Sequence, residues 1–142
     1  MSRQIKNILT ILFFLICIGV INTAGQNIEL EIRGVNAFTI TLIVAVLLQV
    51  ILFIPSFLLK TEKYYDLVGS LTYTTTVSLA YFSVETKTMI DSIIYFYVMV
   101  WALRLGIYLF RRVRKDGKDI RFEKPKRHFF WFLQYWMGQA LW

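Results

Sequence analysis

The chain has 142 residues, of which 57% are hydrophobic and 17% aromatic, with a mean hydropathy of +0.56 and a formal charge of +7. One cysteine, Cys17, and one histidine, His128, exclude a disulfide framework, a cysteine-ligated metal site and the usual histidine-dependent triads and metal clusters. The apolar residues fall in long blocks instead of alternating with polar ones, which is the distribution of a membrane protein.

In chain order, Ile8 to Ile21, "ILTILFFLICIGVI", follows Arg3 and Lys6 and predicts a first helix over about 8–25, with Lys6 as a snorkelling anchor. The same pattern also fits a cleaved signal peptide. A cut after Ala24 or Gly25 would leave Asn22 or Thr23 where a small residue is wanted. Phe38 to Leu59 has 22 residues without a charge, and at about 1.5 Å per residue it covers the roughly 30 Å of bilayer hydrocarbon. Leu67 to Val84, "LVGSLTYTTTVSLAYFSV", is also uncharged; its hydroxyls suit a helix packed among others. Ser92 to Phe110 has Arg104 as its only charge, and the basic loop 111–127 follows. A fifth helix over 128–142 completes the chain. Its apolar part from Phe129 has 14 residues, about 21 Å at helical rise and short of a span. An interfacial helix would need a polar face, and only Gln134 and Gln139 are strongly polar there. The expectation is an all-α polytopic transmembrane helix bundle, four spanning helices plus a truncated fifth, in a single integral membrane domain over 1–142 that is a fragment of a longer domain.

Lysine and arginine counts before, between and after the first four helices run two, one, two, one and nine. The alternation predicts a cytoplasmic N-terminus, in a bacterial inner membrane or the endoplasmic reticulum. Nine basic and three acidic residues in 111–127 leave +6 there. Positive-inside topology explains that charge without nucleic acid, and no glycine-rich phosphate loop occurs.

Arg104 lies inside an apolar stretch, where an arginine costs about 2.5–3.5 kcal/mol on insertion scales and marks a partner or a ligand. Tyr97, Trp101, Arg104, Tyr108 and Arg111 follow one another in steps of four, three, four and three, which keeps them on one helix face. Such a stripe should point into the bundle or a wet cavity; alternatively, Arg104 snorkels to the headgroups. Asp66, Ser70 and Tyr73 share a face of the preceding helix, and Asp66 needs a cation, with Arg104 or Arg111 as the expected partner.

Three separated segments, "EKYYDLVGSLTYTTTV", "WALRLGIYLFRRVRKDGKDIRF" and "FFWFLQYWMGQALW", resemble in order and spacing the uncharacterised bacterial and eukaryotic membrane proteins grouped with steroid 5-alpha-reductases. The resemblance runs from about Glu62 to Trp142. It implies a polytopic helical enzyme that reduces an activated carbon–carbon double bond with NADPH held in the cytoplasmic half of the bundle. It also implies cofactor contact for Asp66, Ser70, Arg104, Tyr108, Asp119 and Arg121, with Gly117 in the matching loop, and the stripe adds Arg111. Catalytic residues are not assigned: where the reductases carry a tyrosine proton donor, Trp101 stands here, and indole does not supply a proton at neutral pH. The family's chain continues through a motif that completes the dinucleotide site. The expectation is therefore the N-terminal part of an NADPH-dependent membrane oxidoreductase acting on a lipid-like or sterol-like substrate, inactive alone unless a second chain supplies the rest. A small non-enzymatic membrane interaction module, or part of a membrane methyltransferase using S-adenosylmethionine, are the competing readings.

Overall fold

A computed structural model describes residues 2–27, 30–32, 34–117 and 119–141. Glu29, Arg33, Lys118 and Trp142, which entered the charge counts and the last helix above, lie outside the described residues.

α1 spans Arg3–Gly25 and starts at Ser2, whose hydroxyl accepts a hydrogen bond from the Ile5 amide at 3.4 Å. It begins five residues before the expected boundary, because this cap draws the polar first turn into the helix. Two short strands, β1 (Glu31–Ile32) and β2 (Val35–Asn36), pair antiparallel with Glu31 opposite Asn36. The carboxamide of Asn36 then caps α2 (Ala37–Leu58), accepting from the amides of Phe38 and Thr39 at 2.9 and 3.3 Å. At Lys60 the chain turns through a φ of +49° before entering α3 (Tyr65–Ser83).

α4 spans Met89–Asp116 and opens with a reciprocal cap between Thr88 and Asp91. It runs six residues into the stretch expected as loop. Arg111, Arg112, Arg114 and Lys115 are good helix formers, and cations in the last turn face the negative end of the helix dipole. Gly117, at a φ of +78°, ends the helix. Two 3₁₀ turns, Ile120–Phe122 and Pro125–Arg127, lead to α5 (Phe129–Leu141).

α1, α2 and α4 are long and apolar enough to cross a membrane. α3 has 19 residues, enough length for the fourth expected span, but it has no stretch of a span's length as apolar as those in these three. Its hydroxyls return hydrogen bonds to its own carbonyls, Thr72 to Val68, Thr76 to Thr72 and Ser83 to Leu79, and it packs between α2 and α4. The 13 described residues of α5 measure about 20 Å. The molecule is an all-α membrane bundle in which α4 packs on α3, α3 on α2, α2 on α5 and α5 on α1.

The core lies toward one end. Phe53 of α2, Val68 of α3, Phe122 of the first 3₁₀ turn, and Phe132 and Trp136 of α5 form one buried cluster. Phe53 meets Phe132, Trp136 and Phe129 with ring centroids 5.2–6.1 Å apart, separations at which aromatic pairs attract beyond their area burial. Phe122, 1% exposed, fastens the basic segment to the bundle. At the same end Phe57 packs on Phe129, Tyr64 on Phe110 and Arg3 on Trp131, so the starts of α1, α3 and α5 and the ends of α2 and α4 all converge there.

Candidate functional site

The position of the α4 stripe follows from how α4 meets α3. Ala102 and Gly106 are buried, and the Ser70 hydroxyl donates to the Ala102 carbonyl at 2.7 Å. A Cβ on Gly106 would overlap the Ser70 side chain, so the close approach requires glycine, as small residues generally allow between membrane helices. At about 100° per residue, Arg104 and Tyr108 sit roughly 200° beyond Ala102 and Gly106 and therefore point away from α3.

The stripe thus faces outward from the five helices, not into the bundle. Tyr97 is 67% exposed and Tyr108 62% exposed. Trp101, at the stripe's edge, lies edge-on to Tyr73 with ring centroids 5.3 Å apart. Arg104, Tyr108, Arg111, Arg112 and Lys115 line an open groove of about 720 Å³. It shares Arg112 and Asp116 with an adjoining cavity of about 610 Å³ that Asp119, Ile120 and Arg121 complete.

Asp66 pairs with neither arginine expected for it. Its carboxylate is 3.7 Å from the Arg121 guanidinium and 3.9 Å from that of Arg112. The reason is helical phase: Arg112 adjoins Val113, which is buried against the bundle, whereas Arg104 and Arg111 are on the side turned from α3. Asp119 binds Arg121 through two 3.0 Å contacts from Nε and a third from Nη2. Arg112 stands 3.8 Å away. The hydrogen-bonded Arg121 holds the Asp119 carboxyl below the usual carboxylate range, against the opposing effect of partial burial.

Ser70, a sequence-predicted contact residue, is buried and committed to Ala102. It acts here by setting the helix separation. Asp66, Asp119 and Arg121 are brought together, joined by Arg112. Arg104, Tyr108 and Arg111 form the neighbouring groove, again with Arg112, which the sequence reading passed over because it lies one residue off the stripe.

Behind this cluster is a further ion pair. Glu62, 4% exposed, accepts from Lys126 Nζ at 2.7 Å and from the Asp119 amide at 3.1 Å. Nothing local in the sequence signals a partnership across this separation. Deeper in the bundle, Gln49 donates to Thr72 Oγ1 at 3.0 Å. Among the described residues no group of three or more histidine, cysteine, aspartate or glutamate side chains is arranged to hold a metal ion. The polar groups at the site are cationic and carboxylate groups suited to binding an anion with hydrogen-bonding substituents.

The fold and this face define a polytopic helical membrane protein with a cationic groove at one end of its bundle. Residues 52–142 match the family described as Protein of unknown function (DUF1295), and the chain belongs to that family. The matched stretch includes every residue of the groove and of the Asp66 cluster. No curated protein and no solved structure matches the chain.

Proposed function

We propose that the chain is the N-terminal part of a steroid-5-alpha-reductase-like membrane oxidoreductase that uses NADPH on a lipid-like substrate. The observation that carries this reading is the continuity of the two cavities: Arg104, Tyr108, Arg111, Arg112 and Lys115 line one, and Arg112 joins it to the Asp119–Arg121 pair. Three arginines and a lysine on one helix supply the charge and the planar donor forks that bind phosphate groups. The volumes fall within the few hundred to about 1,000 Å³ typical of cofactor sites.

In this reading Arg104 and Arg111 hold phosphate groups, and Tyr108 flanks the cofactor. Asp66 and Asp119 position Arg112 and Arg121, and Ser70 sets the helix spacing beneath them. Bound NADPH would supply the hydride. The groove is open toward the surroundings, so a further segment is needed to enclose the reacting groups and exclude water. The segment on its own is therefore expected to be inactive.

The reading is tested by titrating NADPH and S-adenosylmethionine against a chain that carries these residues together with the segment completing the dinucleotide site. Saturable NADPH binding supports it. Binding of S-adenosylmethionine alone would reassign the groove to a membrane methyltransferase, and binding of neither would remove the enzymatic reading.

A further inference from the structure

A second polar cavity lies at the same end of the bundle, between α1 and α5, neither of which lines the α4 groove. It has a volume of about 410 Å³, and Arg3, Gln4, Asn7, Arg127, His128 and Trp131 are among its lining residues. Among the described residues no carboxylate lines it. The Arg3 guanidinium carbon lies over the Trp131 ring, 4.6 Å from the centroid. That cation–π contact occupies no hydrogen-bond acceptor, so the guanidinium N–H donors stay available to a ligand.

Asn7 supplies the independent observation. Its side chain is held at the cavity wall, 8% exposed overall, and its carboxamide makes no hydrogen bond to another described residue, which leaves its N–H donors open to the cavity. The cavity therefore presents two guanidinium groups and a free carboxamide with no carboxylate among its described lining residues, a combination complementary to an anion with hydrogen-bond acceptors.

The rest of the lining selects the kind of anion. Phe129 and Phe130 form one wall and remain 45% and 39% exposed. Along α1 the exposed Ile5, Ile8, Leu9 and Leu12 continue the apolar surface. A freely diffusing phosphate has no use for such a wall, whereas the glycerol and first acyl carbons of a lipid do. Basic pockets between helices at the membrane surface are suited to lipid headgroups for this reason.

We propose that this cavity binds the headgroup phosphate of an anionic phospholipid. Arg3 and Arg127 pair with the phosphate, the Asn7 carboxamide N–H donates to a headgroup oxygen, and Phe129 and Phe130 lie against the start of the acyl chains. The proposal is independent of what the α4 groove binds.

The test is native mass spectrometry of the detergent-purified 142-residue chain, titrated separately with phosphatidylglycerol and phosphatidylcholine. Phosphatidylglycerol should be retained at markedly lower concentration, with about a fivefold loss of that preference for each arginine removed. Arg3→Gln with Arg127→Gln should abolish the preference, Asn7→Leu should weaken it, and Lys124→Gln, outside the cavity, should leave it intact. Millimolar inorganic phosphate should not displace the bound lipid. Equal retention of the two lipids by the wild-type chain would overturn the proposal without recourse to any variant. So would a preference that survives removal of both arginines, or displacement by free phosphate, which would mark a phosphate site instead.

Discussion

Ser70 Oγ donates a 2.7 Å hydrogen bond to the Ala102 carbonyl directly beside Gly106, whose missing side chain makes room for the serine. This contact sets how closely α3 and α4 approach, and so it sets the direction in which Arg104 and Tyr108 project. Gly106→Leu should force the helices apart and cost about 1–3 kcal/mol, the usual penalty for overpacking. Ser70→Ala removes only the hydrogen bond and should cost about 0.6 kcal/mol, the average for an interhelical pair in a membrane protein. Unfolding in mixed micelles measures both, and a leucine variant as stable as the parent would show that the helices do not depend on this approach.

The Glu62–Lys126 pair makes a second stability prediction. Lys126→Met leaves the Glu62 carboxylate buried without its cation and should destabilise by about 3 kcal/mol, the lower end for breaking a buried pair, since the lysine keeps some exposure. Adding Glu62→Gln should recover most of the loss, because the amide can still accept from Asp119 N–H without an uncompensated charge. A double variant no better than Lys126→Met would place the cost in lost packing.

Protonation of Asp119 should loosen the same region. Its carboxyl is held below the usual range by Arg121, so its contribution is fully present above the unfolded value of about 3.9 and is lost as the pH falls through the lowered folded value. Comparing acid unfolding of wild type and Asp119→Asn checks this: the variant should lack the part of the stability loss that begins below about pH 4. Superimposable curves would show that the pair contributes nothing measurable.

The alternation of basic residues predicts orientation. A reporter after Arg127 should be cytoplasmic and one near Glu31 on the opposite side. Between these points α2, α3 and α4 place the two positions at opposite ends of the bundle, and reporters on one side would require that α3 does not cross.

How far the sequence carried the fold depended on the residues concerned. α2 was legible almost to the residue, because its uncharged run is bounded by the Asn36 cap and by Lys60. α4 was placed correctly but ended too early, since charge was read as loop where helix propensity and Gly117 decide the boundary. The stripe from Tyr97 to Arg111 was visible as a periodicity, but periodicity fixes only which residues share a face, not what that face meets. Gly106 and Ala102 held the missing information, as the small residues that claim α3 for the opposite side. Asp66 was recognised as needing a cation, yet its partners, Arg112 and Arg121, depend on helical phase and on a loop anchored by Phe122. No local pattern reveals an anchorage of that kind.

Arg104 is the residue on which the cofactor reading rests most directly. In a chain that also carries the segment completing the dinucleotide site, Arg104→Ala should weaken NADPH binding by about 1.5–3 kcal/mol, the range for a hydrogen bond to a charged group. Arg104→Leu should do the same, because it removes the same donors. An arginine that merely snorkels predicts otherwise: affinity would be unchanged in both variants, and the leucine would ease insertion by removing a charge from the apolar helix. The decisive measurement is NADPH affinity in the wild type, Arg104→Ala and Arg104→Leu proteins under one salt condition. Parallel losses in the two variants are the predicted result, and equal affinity in all three would contradict the assignment of the α4 groove to the cofactor.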